Sequence, residues 1–283
     1  MSDITTPTTG PVEPELYRSG RRKRARSRWF HVVITVVGIA AVAAFVTTID
    51  WQMIGEKYAD IDRARELFPE IVTVAAKNTI VYTTFSFIGG VVLGVSAALL
   101  RMSSLRAYRW IAAVYIEVFR GLPALLTIIL IGLITPAALR FRFPEIMDVP
   151  TGGIVALSLV AGAYLAETIR AGIQAVPPGQ VEAARSLGMS RGLTLRKVVL
   201  PQAGRIIVPP LTNELVLLLK DTALLAALGS TVDTKELTQF GRDAASQGYN
   251  ATPLLVAGAM YLLITIPLTR LVAVLERRNA RSR

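Results

Sequence analysis

VEAARSLGMSRGLTLRKVVLPQA, residues 181–203, is a polar, basic and glycine-punctuated stretch with strongly apolar segments on either side. Those neighbours decide the fold class. A helix rises about 1.5 Å per residue, so crossing a hydrocarbon layer of roughly 30 Å takes about 20 mostly apolar residues. Runs of that kind cover residues 30–49, 79–100, 111–133, 152–176, 206–229 and 253–275. With 52% hydrophobic residues in a chain of 283, gathered into such runs, the expectation is an all-α membrane protein with six transmembrane helices.

Composition excludes several chemistries. The chain has no Cys, which removes disulfides, iron–sulfur clusters and Cys-ligated zinc. Its one His, His31, lies at the edge of the first apolar run, too far from any nucleophile pattern for a Ser/His/Asp triad or a His-based metal site. No catalytic or metal-ligating residues are therefore assigned. No G-x-x-x-x-G-K-[ST] loop is present, so the chain has no recognisable phosphate cradle of its own, and if ATP drives it, ATP binds elsewhere.

The net charge of +11 reads as topology once its distribution is considered. Lys and Arg crowd the N-terminal arm, the turn holding Arg101, Arg106 and Arg109, the 181–205 region and the C-terminal tail. The alternate connections hold only Lys57, Arg63, Arg65, Arg140, Arg142, Lys235 and Arg242. This is the positive-inside pattern, with both termini cytoplasmic, and nucleic acid is not needed as a partner to explain it. Residues 1–28 are rich in Pro, Thr, Ser and charge and are expected to be a disordered cytoplasmic arm near the lipid surface. Ala41-Val42-Ala43 has the shape of a signal-peptidase site, although the apolar run continues to Ile49. Residues 50–70 are expected to be an external connection, with room for a short amphipathic helix. Gly90-x-x-x-Gly94 allows close helix packing, and Pro123, Pro136, Pro209, Pro210 and Pro267 point to broken helices.

Within the polar stretch, Pro177-Pro178-Gly179 stops the preceding helix. From Gln180 to Leu187 the residues favour a short helix, with Ala183 above Leu187 and Ala184 above Gly188 one turn apart. Glu182 suits the positive end of that helix, and small residues at Ala183, Ala184 and Gly188 allow a partner to approach the backbone. Gly188 can leave the helix with positive φ, Ser190 can cap a second short helix, and Pro201 is expected to follow its end.

Glu182-Ala183-Ala184, Gly188, Val198 and Leu200-Pro201 resemble the cytoplasmic EAA loop of binding-protein-dependent ABC importer permeases. YIEVFRGLP at 115–123, AYLAETIRAGIQAVPPGQ at 163–180 and PPLTNELVLLLKDTALL at 209–225 narrow the resemblance to polar amino acid permeases of the histidine, glutamine and arginine type. The likeness covers roughly residues 71–275, and such permeases usually have five spans. It implies an extra N-terminal helix and external connection (29–70), a type I permease core (71–275) with a coupling loop near 177–203, and a cytoplasmic tail (276–283). It also implies a prokaryotic plasma-membrane importer subunit carrying a polar or charged amino acid by alternating access. The implied partners are a cytoplasmic ATPase dimer holding ATP and magnesium, a second permease subunit and an external substrate-binding protein. The loop would dock through Glu182, Ala183, Ala184, Leu187, Gly188 and Met189.

Charges inside apolar helices mark the remaining sites. Glu214, Lys220 and Asp221 interrupt the fifth run, and each costs about 2.5–3.5 kcal/mol at the centre of a span. Glu214 and Asp221 are seven residues apart, hence on nearly one helical face, with Thr222 beside it. An amino acid carries both charges, so these residues could line its pathway, and the resemblance implies that role for the N-E-(x)5-K-D-T pattern. The other reading is an ion pair of Lys220 with Asp221 or Glu214 that fixes packing. Glu117 and Arg120, three apart, are expected to form a salt bridge beside a helix break at Gly121 and Pro123, where gating is also conceivable. Glu167 and Arg170 share that spacing and could support the coupling loop. From the residues alone, a self-sufficient ion-coupled transporter using Glu214 and Asp221 stays as the alternative, whereas an intramembrane hydrolase lacks its nucleophile constellation.

Overall fold

The computed structural model describes residues 15–147, 149–229 and 231–281. These are almost entirely helical; the one sheet among them is an antiparallel hairpin pairing Glu145 with Pro150 and Ile146 with Val149. The chain forms two units, Met1–Gly55 and Glu56–Arg283.

In the first unit, α1 (Glu15–Thr47) begins inside the stretch expected to be an unstructured arm. The basic stretch from Arg21 to Arg28, rich in the good helix formers Arg, Lys and Ala, leads into the apolar run without a Pro or Gly to break it. Residues 1–14 of that arm lie outside the described residues. Trp29–Thr47 is long and apolar enough to cross a membrane. Beyond it, the Asp50 carboxylate accepts from the Met53 N–H at 2.9 Å and starts α2 (Trp51–Tyr58).

The second unit starts earlier than the expected core boundary at residue 71. Asn250 donates its side-chain N–H to the Glu56 carbonyl (3.1 Å) and to Asp60 (3.2 Å), and the Ala251 N–H reaches the Lys57 carbonyl at 2.7 Å. Asp60 also caps α3 (Ile61–Glu66). A single helix then runs Ile71–Arg101, a π-helical first turn followed by α4 (Lys77–Arg101). Next come α5 (Arg106–Gly121) and the pair α6 (Ala124–Ile129) and α7 (Thr135–Leu139), bent 110° from α5. The break has a local cause: Leu122, which precedes Pro123, is extended, as a residue before proline prefers. After the hairpin come α8 (Thr151–Gln174), α9 (Pro178–Ser186), α10 (Arg191–Thr194), α11 (Leu200–Asp221), α12 (Leu237–Gly248) and α13 (Thr252–Arg281). The expected tail thus continues α13 as far as Arg281, and residues 282–283 lie outside the described residues.

Four helices are long and apolar enough to span, or five if the bent pair is one crossing. The fifth expected crossing, 206–229, is the difference. It forms α11 and a short 3-10 turn, and Arg205, Glu214, Lys220 and Asp221 keep it from reading as lipid-exposed helix.

The centre of the second unit is α4 packed on α8. Lipid gives helices no hydrophobic reason to associate, so close backbone approach and polar contacts must supply it. A Cβ on Gly94 would lie 2.8 Å from the Leu165 Cβ and 3.2 Å from the Gly162 carbonyl, and one on Gly162 would meet Leu93 at 2.8 Å. Ser158 donates to the Ser86 carbonyl (3.2 Å), and Tyr115 of α5 donates to Leu159 (2.9 Å). Gly94→Val is expected to destabilise the chain by about 1–3 kcal/mol through overpacking. Thermal unfolding in detergent checks this, and an unchanged midpoint contradicts the packing.

Candidate functional site

The polar stretch folds as two helical pieces around a glycine turn. Pro178 opens α9, where its missing N–H is not needed. At the other end Gly188 has φ +83°; its N–H bonds the Arg185 carbonyl at 3.0 Å, and the Met189 N–H bonds the Ala184 carbonyl at 3.2 Å. This is a Schellman C-cap, which needs a left-handed residue at that position. Arg185 closes the turn by donating to the Met189 carbonyl at 2.6 Å, and Ser190 accepts from the Leu193 N–H at 3.3 Å to start α10. Val176, Val199 and Ala203, with Val181 packed on them, give the turn an apolar foot within the chain.

Two expectations change here. The second helix does not end before Pro201: α10 passes through a π-helical turn (Leu195–Val199) into α11, where Pro201 sits in the first turn. Ala184, expected to face a partner, is buried at 5% exposure, because the Schellman turn folds its side of the helix inward. Glu182, Ala183, Leu187 and Gly188 are exposed, and Met189 is half-buried. Leu187 is 85% exposed, an apolar side chain held outward at the tip.

The charged pattern lies at the far end of α11. Glu214 and Asp221 are half-buried, Lys220 is exposed, and Thr222 is fully buried in the 3-10 turn (Thr222–Leu228) that follows. Among the described residues Lys220 makes no ion pair with Glu214 or Asp221, so that packing bridge is absent. Glu117 and Arg120 are exposed and likewise unbridged. The Arg120 guanidinium lies over the Tyr164 ring instead, 5.5 Å from its centroid, a contact that keeps the charge at a surface position. Glu167 and Arg170 do form an ion pair.

A polar cluster that the sequence reading missed adjoins the α11 end. Thr222 Oγ1 lies 3.4 Å from the Tyr261 hydroxyl of α13, and Tyr261 donates to Glu236 at 2.9 Å. Glu236, 2% exposed, accepts the Thr238 and Gln239 N–H groups at 2.6 Å each as the N-cap of α12. Burial holds its carboxyl above the usual range, against the pull of these donors. The available signal was Tyr261, a hydroxyl inside an apolar run that must find a partner. Beside the cluster is a cavity of about 290 Å³, with Tyr82, Arg142, Thr234, Glu236 and Gln239 on its wall; the Gln239 Oε1 is buried without a donor. Glu236→Ala strands the two N–H groups of α12 and is expected to cost about 3 kcal/mol or more. A fall in the unfolding midpoint, with Glu236→Gln intermediate, checks this; an Ala variant as stable as the parent contradicts it.

Comparison with known proteins places these features in a family context. Residues 90–281 match the family described as binding-protein-dependent transport system inner membrane component. The arginine transport system permease protein ArgU of Corynebacterium glutamicum is 37% identical over 275 residues, covering 94% of this chain and 84% of that protein. The L-cystine transport system permease protein TcyB of Bacillus subtilis is 36% identical over 221 residues, covering 77% and 90%. A crystal structure of an amino acid ABC transporter with histidines aligns with TM-score 0.66 at 35% identity, covering 75% of this chain and 95% of that one. The MetNI methionine ABC transporter shares the fold, with TM-score 0.62 at 22% identity over 76% of this chain and 98% of that one.

Proposed function

The chain belongs to the binding-protein-dependent transport system inner membrane component family, and from that premise we propose how its two sites divide the work of an importer. It is the permease subunit of an ABC importer for amino acids, an integral inner-membrane transport component. The ion-coupled alternative loses to that membership.

The α9–α10 knuckle takes the load from a cytoplasmic ATPase dimer. The observation that carries this reading is the Leu187–Gly188 tip, apolar, exposed and held by a Schellman turn on a buried foot. A lever must be stiff at its base and sticky at its end. ATP and magnesium bind on the partner, and this chain carries out no bond chemistry. Glu182, Ala183, Leu187, Gly188 and Met189 form the contact, while Ala184 serves the foot. Both termini are cytoplasmic, with the knuckle on the same side, which fits the distribution of Lys and Arg.

The substrate path runs past Glu214, Asp221 and Thr222. Two half-buried carboxylates near the end of one helix attract an ammonium or guanidinium, and exposed Lys220 is placed to meet a carboxylate. The relatives named for arginine and cystine support a polar amino acid as cargo. A second permease subunit completes the path, and an external binding protein delivers the substrate.

Reconstitution into proteoliposomes tests this. Uptake is expected only when the cognate ATPase, MgATP and the binding protein are all present. Uptake by the chain alone under a proton or sodium gradient contradicts it.

A further inference from the structure

Where α4 and α8 end and α5 begins, they border a cleft of about 450 Å³ lined by Arg101, Met102, Arg109, Glu167, Arg170 and Gln174. Three guanidiniums share it with one carboxylate. Each is held in place. Arg109 donates to the Ser103 and Ser104 carbonyls at 2.9 and 2.8 Å, and Arg101 donates to the Arg109 carbonyl at 3.3 Å. Arg170 binds both oxygens of Glu167 and the Gln174 side chain. Carbonyl oxygens satisfy hydrogen bonds without cancelling charge, so Glu167 neutralises one guanidinium and two positive charges face the cleft uncompensated. A guanidinium has five N–H donors, and the bonds made here leave donors free on Arg101 and Arg109.

The residues bordering the cleft identify its anion. It opens at the turn between Arg101, the last residue of α4, and Arg106, the first of α5. Tyr108 and Trp110 are exposed just beyond, as aromatic residues are at the headgroup level of a bilayer. Leu99, Met102 and Leu105 are exposed beside the arginines, at 54%, 41% and 55%. A soluble anion has no use for that apolar border, whereas acyl chains do.

We infer that this cleft binds the phosphate of an anionic phospholipid, with Arg101 and Arg109 on the phosphate oxygens and the acyl chains along Leu99, Met102 and Leu105. Phosphate between fixed guanidiniums gains charge-assisted, geometrically matched bonds, and basic pockets between helices at a membrane face are suited to such headgroups. The site is independent of substrate and of the coupling tip, so either assignment can fail without the other.

Native mass spectrometry of the purified chain, titrated with phosphatidylglycerol or phosphatidylcholine, tests it. One phosphatidylglycerol is expected to be retained selectively. Arg101→Gln should weaken that binding about five- to tenfold, the effect of one basic contact at a membrane surface. Arg101→Lys, which keeps the charge but loses the fork, should fall between. Arg106→Gln serves as the control: it is exposed in the same turn but outside the cleft, and should leave binding unchanged. Equal weakening by Arg106→Gln means diffuse attraction to any basic surface and overturns the site, as does an Arg101→Gln chain that unfolds normally yet binds as the parent does. Binding of inorganic phosphate with the same Arg101 dependence and no preference for phosphatidylglycerol overturns the lipid assignment.

Discussion

Leu187→Asp is expected to lower substrate-stimulated ATP hydrolysis and uptake by roughly 30- to 1,000-fold, the effect of losing an anchor worth about 2–4 kcal/mol at a protein interface. The side chain is 85% exposed at the tip of the knuckle, so the chain itself loses almost no packing. Its thermal unfolding should therefore stay where it was. That separation identifies a contact residue and excludes a merely structural one. Gly188 provides the comparison. A Cβ there meets nothing within 4 Å, so Gly188→Ala adds no clash and pays only for left-handed backbone at φ +83°, roughly 1–2 kcal/mol. Its loss of coupling should be smaller and accompanied by a looser turn, whereas Gly188→Trp adds bulk at the contact itself and should approach Leu187→Asp. Normal ATPase stimulation in Leu187→Asp contradicts the coupling assignment.

Glu214→Gln and Asp221→Asn should each lower uptake kcat/KM by roughly 10- to 150-fold, since a hydrogen bond to a charged group contributes about 1.5–3 kcal/mol. Both substitutions keep side-chain volume, so helix packing is preserved while a charge is removed. Both carboxylates are half-buried and so remain partly open to solvent, and on the proposed path each missing charge should be felt most by cationic substrates. Lys220→Gln should matter less for those substrates, because among the described residues Lys220 makes no ion pair that a substitution could break. Stimulation of ATP hydrolysis by the binding protein should survive in these variants, in contrast to Leu187→Asp. Unchanged kinetics for every amino acid carried contradict the pathway.

Features written locally in the chain were legible in the sequence. The apolar runs, the break at Gly121 and Pro123, the positive φ of Gly188 and the cap at Ser190 depend on residues within a few positions of one another, and all occur. Relations across distance were not. Arg120 turned to Tyr164, 44 positions on, because a guanidinium can choose an aromatic face that local spacing does not reveal. Ala184 reads as a contact residue until the turn that buries it is formed. The Glu236 cluster joins Thr222, Tyr261 and the start of α12, which only the packed bundle brings together. At α11 the charges Glu214, Lys220 and Asp221 lower the apolar content of the helix below that of the other spans.

The chain contains no cysteine, so Leu187→Cys places a single thiol at the tip without background. Cross-linking that thiol in membranes of cells expressing the assembled importer is the direct measurement. A bond to the ATPase subunit, with a yield that changes when nucleotide is added, is the predicted result. Labelling of Leu187→Cys in intact cells by a membrane-impermeant reagent, with no ATPase adduct, would place the tip outside and contradict the account.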